Sequence, residues 1–349
     1  MLAEFSIIEG KYLRDVLDQP GALEDTLAGL KEPQTLRELA ARLRKGDFET
    51  VVLTGMGSSF HALHPLQLEL IDHGFTAMMV ETSELIHYMG RLFDPKTLIV
   101  AVSQSGESAE VVRLLEINGS KSPMIAVTNT PGSPLATQAD ATILTQAGKE
   151  FSVSCKTYLS ALMALHWLGD VFCERDLRGT REELKQAAPA VESYLAHWKD
   201  HVQSLAKLLK GTRNLFVVGR GSSLAAVGTG ALIVKEAAHF HAEGMSGAAF
   251  RHGPFEMLNK ETFVLIFSGD SRTRDLSRRL LEDVRERRGK AELVSEDAAL
   301  PACSLPAAPR SIQPMLEILP VQMITLALAA QAGREAGRFE FASKVTTTE

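Results

Sequence analysis

The sequence predicts an α/β fold made of two tandem copies of one unit, each a parallel sheet flanked by helices in three α/β/α layers. Three observations lead there. Short apolar runs that read as buried strands alternate with stretches of helical spacing, the pattern of a parallel sheet covered on both faces. The segment VVLTGMGSS, ending at Ser59, returns 164 residues later as LFVVGRGSS, ending at Ser223. The segment IVAVSQS (99–105) returns 165 residues later as VLIFSGD (264–270). Two features recurring at nearly one offset indicate an internal duplication.

The elements follow in order. Residues 1–45 carry helical patterning: Leu13, Val16 and Leu17 precede Pro20, a helix resumes over 21–30, and LRELAARL (36–43) is the strongest helix signal of the region. TVVLT (50–54) is the first strand, followed by a turn over 55–59 and a helix over 61–71. Strands are predicted over 75–80 and 97–102, with a short helix over 83–88 between them, and two more over 123–127 and 141–144. Residues 154–168 are apolar on most sides and read as a buried helix. The stretch 178–210 is charged, amphipathic and poor in Gly, Pro and Ser, so it reads as connecting helices. A second strand–turn–helix then runs from 214 to about His239; His239 and His241 are read as structural residues facing different sides of that helix, with poor spacing for a metal. The boundaries expected are a helical segment over 1–36, the first copy over 37–175, connecting helices over 176–212, the second copy over 213–333 and a tail over 334–349.

The totals narrow the function classes. With 349 residues, two domains are expected. A formal net charge of −6 argues against nucleic acid or an anionic membrane as partner. Three scattered cysteines, Cys155, Cys173 and Cys303, suggest a reducing compartment and no zinc site. Residues 1–10 have no basic start and carry Glu4 and Glu9, and no run is read as a membrane span, because 315–332 is interrupted by Glu317 and Pro320. A cytoplasmic protein without metal or cofactor is expected.

The stretch IVAVSQSGESAEVVRLLE (99–116) carries chemistry. A strand that ends in small hydroxyl residues and opens a helix can hold an anion, because the first helical N–H groups lack partners and the serines add donors. Gly106 lets the backbone turn tightly. Each hydrogen bond to a charged phosphate contributes roughly 1.5–3 kcal/mol, so four or five would anchor a phosphorylated ligand without Lys or Arg. Taken alone, Ser105 or Ser108 serves equally well as a helix cap. Gly55-x-Gly57 resembles a dinucleotide fingerprint, with Glu81 near the place of a ribose-binding acid. The third glycine position, however, holds Phe60, and Leu224 in the second copy, which weakens that reading. In the second copy the loop reads SGDSRT, where Asp270 would repel phosphate, so this copy is expected to have lost the cradle.

Gly57-Ser58-Ser59 after the first strand, SQSGES after the third, and the repetition of the unit together resemble the SIS (sugar isomerase) family. Supporting segments are PGSPL (131–135), GKEFSVSCK (148–156), Lys235-Glu236, RHGP (251–254) and SKVT (343–346). The resemblance covers almost the whole chain and is greatest to the tandem isomerase half of glucosamine-6-phosphate synthase and to stand-alone relatives that deaminate or deglycate amino-sugar phosphates. It implies that Ser58, Ser59, Ser103, Gln104, Ser105 and Ser108 hold a sugar phosphate, and that Val153 and Ser343 touch the sugar. It also implies that Glu236 shuttles the C1/C2 proton, that His252 opens the ring, and that Lys344 meets the substrate carbonyl. A homodimer with its active sites near the interface is implied as well.

The chain departs from the synthase pattern. No candidate cysteine nucleophile or glutaminase-like segment stands near Met1, so glutamine is not expected as the ammonia source. Ile233 stands where the synthase has a lysine one turn before the glutamate, Ala249 where it has a glutamate, and the loop at Cys155 reads SVSCKT rather than with a Ser/Thr pair. Imine chemistry is thereby put in doubt, while proton transfer by Glu236 and His252 is retained. The expected activity is isomerising deamination of glucosamine 6-phosphate. Alternatives are a fructosamine 6-phosphate deglycase, a plain aldose–ketose phosphosugar isomerase, and a regulator that binds a sugar phosphate without catalysis.

Overall fold

A computed structural model describes residues 5–341 and Lys344. The chain forms two compact units. One holds 21–150 and 155–185 together with Phe341 and Lys344; the other holds 5–20, 151–154 and 186–340. Each contains one fully parallel sheet.

The first sheet has five strands: β1 (Thr50–Gly55), β2 (Ala77–Glu81), β3 (Thr97–Val102), β4 (Met124–Thr128) and β5 (Ala141–Leu144), in the order β2-β1-β3-β4-β5. Every residue of β3 and β4 is buried, as expected for central strands with helices on both faces. Alternate residues face opposite layers. Val52, Ile99, Ala101, Met124 and Ala126 pack with Leu85 and Ile86, with Val111 and Leu114, and with Leu135, from three helices of one layer. The helix Lys156–Phe172 is buried along nearly its whole length in the other.

The second sheet has four strands: β6 (Asn214–Gly219), β7 (Ala242–Ser246), β8 (Thr262–Phe267) and β9 (Lys290–Val294), in the order β7-β6-β8-β9. The duplication is visible in the strand starts. Thr50 corresponds to Asn214, Ala77 to Ala242, Thr97 to Thr262 and Met124 to Lys290, offsets of 164 to 166. Phe216, Val218, Val264 and Ile266 face Phe250, Leu280 and Val284 of one helical layer. The helices Leu224–Ala238 and Gln313–Gln331 pack against each other, with a Cβ added at Gly230 lying 3.0 Å from Val321.

Some expectations need correction. The helix read over 61–71 is two, Gly57–His61 and His64–Asp72. The second-copy helix ends at Ala238, so His239 and His241 do not share it; His239 takes a left-handed cap (φ +49°) and His241 precedes β7. Residues 313–331 form one helix through Glu317 and Pro320, long and apolar enough to cross a membrane by length and composition. Its most apolar window is 94% buried inside the protein, the pattern of a core helix.

Candidate active site

The phosphate-binding expectation rests on the carboxyl edge of the first sheet. The chain leaves β1 toward β2 on one side and β3 toward β4 on the other, so a crevice opens between β1 and β3. Ligands of open parallel sheets bind at such a switch point. Gly55 and Val102 are paired across the two strands, so the loops carrying Ser58–Ser59 and 103–108 leave at the same level.

The 103–108 loop is held by its own backbone. The Ser103 hydroxyl accepts from the Gly106 N–H (3.1 Å) and the Ser105 hydroxyl from the Glu107 N–H (3.3 Å). Gly106 has φ +68°, and a Cβ there would lie 2.2 Å from the Ser133 hydroxyl oxygen. Only glycine fits where the loop after β4 presses on this turn. Ser108 is the N-cap of the helix Ala109–Asn118, yet its side chain makes no capping bond. Its hydroxyl is therefore not committed to the helix, which answers the capping reading for this residue. Ser58 is 8% exposed, and its hydroxyl has no hydrogen-bond partner among the described residues. Ser59 and Gln104 are half-buried beside them.

Hydrogen bonds tie this loop to the next two along the edge. The Gln104 carbonyl accepts from the Asn129 N–H (3.1 Å). The Asn129 side chain accepts from the Ala147 N–H (2.7 Å) and donates to the Gly148 carbonyl (2.8 Å). Two residues on stands Glu150, whose side chain is fully buried. Its carboxylate accepts from the Cys155 N–H (2.9 Å), the Thr157 N–H (3.1 Å) and the Thr157 hydroxyl (2.7 Å), and it pairs with Lys344. The first unit thus brings together the serine loops and Lys344 on one edge. Glu150 and Asn129 have no role in the sequence reading. A lone glutamate in a loop looks like a surface acid until its burial is known; its place within the motif 148–156 was the available signal.

The other residues lie in the second unit. Val153 is buried in the short segment 151–154, which is fixed by Asp15 accepting from the Phe151 and Ser152 N–H groups (2.7 and 3.0 Å). The Ser152 hydroxyl donates to the Gly337 carbonyl (2.7 Å), and the Gly337 N–H donates to the carbonyl of Ala237 (3.0 Å), the residue after Glu236. Glu236 is half-buried near the end of its helix. His252 is exposed just after the helix Gly247–Arg251. Ser343 lies outside the described residues.

One cluster of metal-competent side chains occurs among the described residues: ligand-type atoms of Glu69, His166 and Asp170 lie within 4.8 Å of one another. Arg175 stands among them, 2.8 Å from Glu69 and 2.9 Å from Asp170, so a guanidinium supplies the positive charge there. Burial pushes Glu69 up to about 7 against the pull of that arginine.

A family model described as SIS domain matches residues 47–169 and again 208–332, one match on each sheet. The chain belongs to the SIS domain family. This SIS chain is 28% identical over its full length to the glutamine–fructose-6-phosphate aminotransferase [isomerizing] of Pyrococcus horikoshii, covering 59% of that protein. It is likewise 28% identical to the Streptomyces coelicolor protein of the same name, with 97% of this chain and 58% of that protein aligned. The chain thus spans somewhat over half the length of these curated relatives. Among solved structures, the C-terminal domain of glucosamine-fructose-6-phosphate aminotransferase from Francisella tularensis superposes with a TM-score of 0.82 at 22% identity, covering 95% of this chain and 98% of that one. Glucosamine-6-phosphate deaminase from Thermotoga maritima superposes with a TM-score of 0.76 at 18% identity, covering 97% and 100%. Both share the tandem SIS fold.

Proposed function

We propose that this SIS protein is a phosphosugar isomerase, and that its reaction is the isomerising deamination of glucosamine 6-phosphate to fructose 6-phosphate and ammonia. The observation that carries the reading is the edge of the first sheet, where an anion cradle built of hydroxyls and backbone stands beside a lysine held by a buried carboxylate. Moving a proton between C1 and C2 of a sugar 6-phosphate held there calls for general acid–base groups.

In this reading His252 assists ring opening to the aldehyde. Glu236 takes the proton from C2 and returns it to C1. The resulting C2 imine adds water and expels ammonia, leaving fructose 6-phosphate. Lys344, oriented by Glu150, polarises the C1 carbonyl while the proton is moved. The likeness to the Thermotoga maritima deaminase, which runs over the whole of that chain, supports deamination. Ile233, fully buried one turn before Glu236, puts no amine at that position. The exposure of His252 suits a homodimer in which this loop reaches a neighbouring copy's site.

The test incubates the protein with glucosamine 6-phosphate and assays ammonia and fructose 6-phosphate. Turnover that Glu236→Gln abolishes supports the reading. No turnover above that control removes this substrate, and fructosamine 6-phosphate is then the next to assay, since the same proton transfer serves a deglycase. Mixing Glu236→Gln with His252→Asn restores activity if each site draws on two copies; no recovery argues for sites complete within one chain.

A further inference from the structure

The second sheet has its own switch point. The chain leaves β6 toward β7 and β8 toward β9, in opposite directions, so a crevice lies between β6 and β8. It is the counterpart of the serine cradle in the first sheet. A cavity of about 470 Å³ opens there, within the ~300–1,000 Å³ typical of small-molecule sites. Its walls include Ser222 and Gly269 from the two loops, Arg274 from the start of the helix Arg274–Glu286, and Arg310, Gln313 and Glu317 from the last long helix and its approach.

Two features point to a ligand. The first is Glu317, only 5% exposed. One of its oxygens accepts from the Ser223 hydroxyl at 2.7 Å, and the other has no hydrogen-bond partner among the described residues. A buried polar atom left unmet costs about 1–3 kcal/mol, so a site lined by such an atom is built for a partner. The second is the pair Arg274 and Arg310. Arg310 makes a 3.5 Å contact to the Ser271 hydroxyl, and the two arginines act on acids of the wall only through their field, Arg310 on Asp270 and Arg274 on Asp297, each of which has another arginine in direct contact. The cavity's acids are otherwise engaged. Asp270 is held by Arg272 (2.6 Å) and Asp297 by Arg278 (2.9 Å), which leaves Glu296 as the remaining acid on the wall. Burial pushes Glu317 up to about 7, so near neutrality its carboxyl carries a proton about half the time and can donate to a ligand oxygen in that form. The Asp270 of SGDSRT therefore does not disqualify this loop; the arginine two residues on neutralises it.

We propose that this cavity is a second ligand site, for a hydroxylated organic monophosphate of the sugar-phosphate class, separate from the serine cradle of the first sheet. Arg274 and Arg310 take the phosphate, whose planar bidentate recognition suits guanidinium. Glu317, Ser222 and Gln313 meet hydroxyl groups at the floor. The site holds no residue assigned above to the reaction, so its occupant acts as an effector or as a second bound copy of substrate or product.

The test uses sorbitol 6-phosphate, which has no carbonyl and cannot turn over, titrated calorimetrically into the full chain. Wild type is expected to take two equivalents per chain. Ser105→Ala with Ser108→Ala leaves one, and adding Arg310→Ala to that variant weakens the remaining site at least tenfold. Arg310 is exposed, so its truncation is expected to leave the melting temperature unchanged; Glu317→Gln, which keeps shape and removes charge, is the second probe. One equivalent in wild type, lost entirely with the two serines, overturns the proposal. So does a serine variant whose remaining binding is indifferent to Arg310→Ala. Because the titration reads stoichiometry, a protein that fails to deaminate glucosamine 6-phosphate still answers the question.

Discussion

The ammonium of Lys344 is paired with the carboxylate of Glu150, 194 residues earlier in the chain. The two partners are unequal. Glu150 is fully buried and is also met by three donors from the start of the helix Lys156–Phe172, whereas Lys344 is 27% exposed. Replacing each should therefore have different consequences. Glu150→Ala leaves helix donors unmet and should cost about 2–4 kcal/mol of stability. Lys344→Met, on the solvent side of the pair, should cost about 1 kcal/mol or less while lowering turnover at least a hundredfold. Urea unfolding and ammonia release, measured on both variants, separate the two. Equal losses of stability would contradict the inequality.

The cradle gives a second expectation. Ser105→Ala with Ser108→Ala removes two hydroxyl donors and should weaken sugar-phosphate binding by about 2–4 kcal/mol, the worth of two charge-assisted bonds. The effect should appear in binding of sorbitol 6-phosphate and be absent for unphosphorylated sorbitol. Unchanged affinity would place the phosphate elsewhere.

Gly337 gives a third. Its φ is +72°, and an added Cβ would lie 2.1 Å from the Ser152 hydroxyl oxygen and 2.8 Å from the Tyr12 side chain. Gly337→Ala should destabilise by about 2–4 kcal/mol through strain and overpacking and should lower activity, since the tail beyond it carries Lys344. Gly333, also left-handed at φ +64° but with open space around it, is the control. Gly333→Ala should cost only about 1 kcal/mol.

The fourth concerns pH. Burial raises Glu317 from 4.5 to about 7 in the folded protein. Between those values the folded state binds the proton that the unfolded state has released, so stability falls as pH rises from about 4.5 to 7 and then levels off. Two and a half units correspond to about 3 kcal/mol. Glu69, raised to about 7 by burial, adds a slope of the same sign. Denaturant midpoints of Glu317→Gln across this range should show a shallower fall than wild type; identical slopes would refute the assignment.

Much of the fold was legible because the central strands are apolar runs covered on both faces. Residues 97–102 could be read to the residue, and so could the edge strand 141–144, which keeps an alternating buried pattern. The edges of the second sheet were not: β7, AEGMS, has two exposed residues and no alternation, and β9, KAELV, starts and continues with charge. Edge strands are specified by their one neighbour rather than by burial, and a single sequence does not display that. The same limit applied to the acids. Glu150 and Glu317 look like any surface glutamate, and what distinguishes them, Lys344 and Ser223, stands 194 and 94 residues away. The serine loops were legible for the opposite reason: their chemistry is contiguous.

The fastening of Gly337 to Ser152 and Ala237 has a kinetic meaning. Lys344 follows that fastening by seven residues, a tether that spans at most ~25 Å when fully extended. The pair with Glu150 is therefore an intramolecular one, which re-forms after opening without a second molecule having to diffuse in. A lysine-bearing peptide added to a chain cut after Gly337 is the two-body counterpart, and what it recovers should rise with its concentration.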